Sequence, residues 1–251
     1  MNTNFFKPYP AYEDVFYDDI ENHKKYFLPI CSVNLKFMYP ERDEWVHFIS
    51  VKEIYEGCVG ENTTKYHTKY TKEDMFGFDI IDGKYKFDAS WDYFYINHNS
   101  DDSEELEIVY KENETSFEAG KMYFEKYGKI FYKSLDWENC SLKVLEDLEQ
   151  KDRKQYPNYK PKYPEFFGFI DDIKNQSVEI KELMDKHNIS LDEMNSCENT
   201  NLMEVPKDNQ DIIFEYIGNL TGYSFQKHGG DVLYLFVNQE MKKAVICLEY
   251  T

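Results

Sequence analysis

Six histidines hold most of the acid–base potential of this 251-residue chain: His23, His47, His67, His98, His187 and His228. His228 stands in Lys227-His228-Gly229-Gly230-Asp231. Two glycines permit positive φ and a tight turn, which predicts His228 and Asp231 side by side at a hairpin tip. An imidazole beside a carboxylate on a loop suits general acid–base work, although no nucleophile is tied to it by spacing. His47 lies in the apolar run Trp45–Val51 and His187 on a helical stripe, where a hydrogen-bonded structural imidazole is expected. His23 follows Asp18, Asp19 and Glu21, donors that would suit a metal if the segment folded back. A solvated acidic segment is the plainer reading, and no metal site is assigned.

Carboxylates come in neighbouring pairs, most densely in Asp101-Asp102-Ser103-Glu104-Glu105. That run reads first as a solvated turn and, more sharply, as a contact patch for a basic partner. Phosphate-binding, nucleophile-elbow and HExxH metal motifs are absent. Asp79-Ile80-Ile81-Asp82-Gly83 resembles a calcium loop but puts Ile81 where an oxygen ligand is required. The cysteines Cys31, Cys58, Cys140, Cys197 and Cys247 show no CxxC spacing, which fits reduced, buried thiols. No catalytic residue and no cofactor follows from these patterns.

Charge narrows the partners. The formal net charge is −19 and the basic residues are nearly all lysine, Arg42 and Arg153 excepted. Such a surface repels nucleic acid and anionic membranes, whose binding depends on cations displacing counterions. A basic protein partner remains. No apolar run approaches the 18 or so residues that span a bilayer, and the N-terminal residues carry no basic-then-apolar leader pattern. A cytoplasmic protein is expected. Abundant Lys, Asn, Ile and Tyr with scarce Ala and Arg point to an AT-rich bacterial genome.

The elements that must position these groups follow from periodicity. Residues 1–25 read as an irregular, aromatic-rich arm. Strands are predicted in YFLPICSVNL from Tyr26, in WVHFISV, and over Lys84–Tyr93, where rings alternate with polar residues. Leu106, Ile108 and Tyr110 repeat that alternation, and KMYFEKYGKIFYK predicts further strands turning near Gly128. Ser141 is placed to cap a helix with Leu142, Leu145 and Leu148 on one stripe, ending before Pro157. Ser177 and Ser190 are placed to cap two more. DIIFEYI, DVLYLFV and KAVICLEY return to strand. Strands at both ends around central helices predict an α+β fold, mainly antiparallel sheet with a few helices.

One internal similarity suggests duplication of a β-unit. FLPICSVNL…WVHFISV matches IIFEYIGNL…VLYLFV without a gap, setting Asn34 on Asn219 and Phe48 on Leu233. The expected organisation is the arm followed by one α+β domain over 26–251, with halves near 26–135 and 136–251.

FLPICSVNL…WVHFISV, DMFGFD, YPEFFGF and IIFEYIGNL…HGGDVLYLFVNQE, in that order, resemble the YwqG-like family of bacterial proteins of unknown function. Lys162-Tyr163-Pro164 stands at the family's Gly-Tyr-Pro turn, and Gly229-Gly230-Asp231 at its Trp-Gly-Asp turn. The resemblance covers about residues 26–250. It implies an α+β fold with internal duplication, brings no established activity, and suggests a setting near toxin and immunity genes. The candidate binding residues are therefore His228, Asp231, Tyr163, Asp101, Asp102, Glu104 and Glu105. The expected function is a non-enzymatic, immunity-like interaction module for a basic partner such as a toxin. The alternative is a small-molecule or carbohydrate-binding protein, or a hydrolase using the His228–Asp231 loop.

Overall fold

The strand-rich ends of the chain build two antiparallel sheets. The computed structural model describes residues 5–37, 39–54, 59–98, 101–158, 202 and 204–250. β1 (Phe6–Pro8), β2 (Phe27–Asn34) and β3 (Trp45–Val51) form one sheet in that order. The other sheet runs β5-β4-β8-β7-β6. Its strands are β4 (Met75–Ile81), β5 (Lys84–Phe87), β6 (Glu215–Leu220), β7 (Val232–Asn238) and β8 (Lys243–Glu249). All pairings between these strands are antiparallel. The α+β expectation therefore holds. No helix among the described residues is long and apolar enough to cross a membrane.

Alternation along the strands explains how the second sheet is covered. Leu233, Leu235 and Val237 of β7, with Ala244, Ile246 and Leu248 of β8, enter the main core. Tyr234, Phe236, Val245 and Cys247 turn to the opposite face, against Tyr70, Val205 and Phe214. A period of two puts neighbours on opposite faces, so both faces are buried. The main core also takes Phe27, Leu28 and Ile30 of β2 and Phe48 and Ile49 of β3. Phe27 meets Phe78 and Phe87 edge-on at ring-centre distances of 5.2 Å, contacts worth roughly 1 kcal/mol each beyond their burial.

Among the described residues two long helices lie between β5 and β6. α3 (Ser103–Tyr127) buries Leu106, Val109, Tyr110, Asn113, Phe117, Gly120 and Tyr123, the 3–4 spacing of one helical face. The strands expected around Leu106–Tyr110 and in the 121–133 segment are thus a helix over most of their length. Gly128, expected as a strand turn, is the left-handed residue that ends it, at φ 65°. α4 (Leu142–Gln155) forms as predicted, with the Ser141 hydroxyl accepting from the Val144 N–H. Leu145 packs with Ala119 and Tyr123 in a satellite core between the two helices.

Other expectations need correcting. The segment read as an irregular arm contains β1, α1 (Tyr12–Val15) and α2 (Ile20–Tyr26), and its Phe6, Val15 and Phe16 are buried. The alternation from Lys84 is strand only to Phe87. Asp88 turns in to hold Thr71 and Lys243, and Ser90 caps a 3-10 turn at Asp92. The helices predicted at Ser177 and Ser190 lie outside the described residues. Both hairpins of the suggested duplication carry a bulge, but their registers differ. Phe48 pairs with Cys31, whereas Leu233 pairs with Leu220, the counterpart of Leu35. The offset of the sequence match is not carried into the pairing.

Candidate functional site

The loop that joins β6 to β7 carries His228, and its partners come from α3. The His228 Nε2 lies 2.7 Å from a Glu112 carboxylate oxygen, and its backbone N–H donates to the Asn113 side-chain carbonyl at 2.7 Å. Lys227 extends the contact. Its ammonium pairs with the other Glu112 oxygen and its N–H donates to the Ser116 hydroxyl. Asn113, fully buried, donates in turn to the Lys52 carbonyl. The loop is thereby clamped between α3 and the end of β3, where Gln226 donates to the Val51 carbonyl.

This geometry corrects the expected hairpin tip. The imidazole is engaged by Glu112, a residue 116 positions away, instead of by Asp231. Gly229 and Gly230 are not in the positive-φ region. A Cβ on Gly229 would come within 2.5 Å of the Gly222 carbonyl carbon, so the glycine serves close backbone approach. His228 and Lys227 together hold the Glu112 carboxyl below its ordinary range. Cys140 and Lys227 line a small hollow of about 190 Å³ beside this clamp. Burial pushes the Cys140 thiol up to about 11, with Lys227 pulling it partly back, so the thiol is protonated at neutral pH.

The acidic run sits elsewhere on α3. Asp101 and Asp102 form the turn before the helix, and Glu104 and Glu105 are exposed in its first turn, where carboxylates complement the helix dipole. Nothing brings these residues to His228. Tyr163 lies outside the described residues.

An open cleft lies in a different place, along the outer side of β2 and β3. It encloses about 570 Å³ and is lined by Lys7, Asp14, Trp45, His47, Asp82 and Lys84, among others. Its floor is a cross-strand pair, since the β2–β3 register sets Ser32 opposite His47. The Ser32 Oγ lies 2.7 Å from His47 Nδ1, and His47 Nε2 lies 3.1 Å from the Gly83 carbonyl oxygen. A carbonyl only accepts, so Nε2 carries the proton and Nδ1 accepts from the Ser32 hydroxyl. Gly83 belongs to the two-residue turn Asp82-Gly83 joining β4 and β5, with φ of 51° and 78° at its two positions. The lookalike calcium loop is in fact this turn.

Burial lowers the His47 pKa to about 4. The Gly83 hydrogen bond and Asp14 oppose the shift, while Lys7 and Lys84 add to it. The ring is therefore neutral at physiological pH. His23 is also buried, which corrects its reading as part of a solvated or metal-binding segment. Its Nδ1 lies 3.1 Å from the Asp19 carbonyl and its Nε2 accepts from the Phe87 N–H, and burial lowers its pKa. Among the described residues no group of three metal-binding side chains occurs.

Sequence reasoning singled out His228 and gave it the wrong partner. It passed over Ser32 altogether, because only the strand register brings a residue 15 positions away to His47. No family model matches the chain, and no curated protein or solved structure is similar to it. The YwqG-like resemblance thus stands on its motifs alone.

Proposed function

We propose that the chain is an acidic protein-interaction module that takes a basic partner along the exposed face of α3. One observation carries this reading. Glu107, Glu114, Glu118 and Glu125 recur at spacings of seven, four and seven, which stacks exposed carboxylates in one row on the helix. Beside that row Ile108 is 56% and Met122 48% exposed. A partner helix bordered by lysine or arginine, with an apolar stripe between, would neutralise the row and cover both side chains. The net charge of −19 would speed its approach at low salt. A basic toxin is a partner of this chemistry, in keeping with the setting that the YwqG-like resemblance suggests.

A synthetic Lys/Leu amphipathic helical peptide provides the probe, read by fluorescence anisotropy across a salt series. Reversing Glu107, Glu118 and Glu125 to lysine removes three rim contacts worth about 0.5 kcal/mol each, so binding weakens about tenfold. Reversing the exposed Glu41, Glu61 and Glu240 changes the net charge equally and leaves affinity within about twofold. Equal losses in the two sets would mean diffuse attraction and remove α3 as the docking face. No binding by the native chain at low salt would remove the interaction reading itself.

A further inference from the structure

We propose that the cleft beside β2 and β3 is an acyl-transfer site, with Ser32 as nucleophile and His47 as its base, acting on thioesters and other activated acyl esters. The inference is independent of the α3 face and rests on four features of one place. The hydroxyl donates to a neutral imidazole at 2.7 Å, within the 2.6–3.2 Å that proton transfer requires. A third group, the Gly83 carbonyl, fixes the tautomer and ring orientation from the far side, as the orienting member of such arrangements must. The His47 backbone N–H is held as well, donating to the Tyr85 hydroxyl. Finally, the pair lines an open cleft of about 570 Å³.

The surroundings select the substrate. A base whose conjugate acid is disfavoured by burial and by Lys7 and Lys84 draws the serine proton only weakly, so the acyl group itself must be reactive toward attack. Thioesters and phenyl esters, with their electrophilic carbonyls and good leaving groups, meet that condition, whereas amides and alkyl esters do not. The same two lysines place positive charge near the Ser32–His47 pair, where a tetrahedral intermediate would develop an oxyanion.

Ser32 Oγ bonds to the acyl carbon while its proton passes to His47 Nδ1, and the carbon–sulfur or carbon–oxygen bond breaks, releasing the thiolate or phenolate. The proton on Nδ1 is then lost to the leaving group or to solvent. Water next attacks the acyl carbon, gives a proton to Nδ1, and the proton returns to Oγ as Ser32 is released.

Incubation of the full chain with a biotinylated fluorophosphonate, followed by peptide mass spectrometry, tests the assignment. The expected result is a covalent adduct on Ser32. Ser32→Ala abolishes it, Ser50→Ala leaves it unchanged, and His47→Gln, which keeps a donor toward Gly83, slows it about 100-fold. Circular dichroism of each variant separates loss of labelling from loss of fold, and the native chain needs no variant to report its own adduct. A folded native chain that leaves Ser32 unmodified would overturn the proposal. So would labelling at an unchanged rate in folded His47→Gln, since the imidazole would then be structural only.

Discussion

His47 and His228 are each held from two sides, but the two regions give them opposite company. His47 sits between a hydroxyl and a backbone carbonyl, both neutral, with 4% of its surface exposed. His228 faces a carboxylate on one side while its backbone is tied to an amide, and a third of its side chain is open to solvent. Burial against neutral hydrogen-bond partners keeps an imidazole uncharged, with one ring nitrogen left to accept a hydrogen bond. Pairing with a carboxylate ties it to a neighbour and fastens a loop. A histidine beside an acid is thus the clamp here, and a histidine beside a serine is the candidate for chemistry.

The clamp depends most on the residue beneath the pair. Asn113→Ala would remove the acceptor for the His228 N–H and one of two donors to the Lys52 carbonyl, which keeps the Ile54 N–H. One orphaned donor at roughly 1–3 kcal/mol and one lost hydrogen bond at about 1 kcal/mol predict a loss of about 3 kcal/mol in chemical denaturation. A loss below about 1 kcal/mol would mean that water replaces the side chain and the loop is not fastened through it.

Acid should reach the cleft histidine next. With a folded pKa of about 4 against an ordinary 6.5, His47 binds fewer protons folded than unfolded between these values. Its contribution is fully present above about pH 6.5 and is lost as pH falls toward 4, about 3 kcal/mol in all. His23, lowered by burial, acts in the same sense. Glu53, whose carboxyl burial raises, acts in the opposite sense: its contribution is present below its ordinary 4.5 and is lost as pH rises above that. Denaturation of native chain and His47→Gln across this range should show the variant losing about 3 kcal/mol less. The smallest effect belongs to the half-buried His228–Glu112 pair. Glu112→Gln should cost under about 1 kcal/mol, and a cost as large as that of Asn113→Ala would erase the distinction between the regions.

How much of this was legible in the sequence depends on the distance over which each signal acts. β2 and β3 are apolar runs and α4 has its serine cap and leucine stripe, all local, and all three form where expected. α3 was misread because Leu106, Ile108 and Tyr110 alternate like a strand, while the deciding stripe runs on through Asn113, Phe117 and Tyr123. Asn113 and Ser116 are polar residues on its buried face, present because they dock the His228 loop, and they break the apolar pattern that would have marked a helix. The candidate sites are harder still. Glu112 finds His228 only through tertiary packing, and Ser32 finds His47 only through a register shifted by the bulge between Pro29 and Cys31.

The protonation state of His47 is the most direct test of this division of labour. Nitrogen-15 NMR of the imidazole from pH 7.5 to 3.5 should show a neutral ring with its proton on Nε2, charging only near pH 4. A ring protonated on Nδ1, or one charging near its ordinary 6.5, would reverse the Ser32 hydrogen bond or solvate it, and the cleft would lose its base.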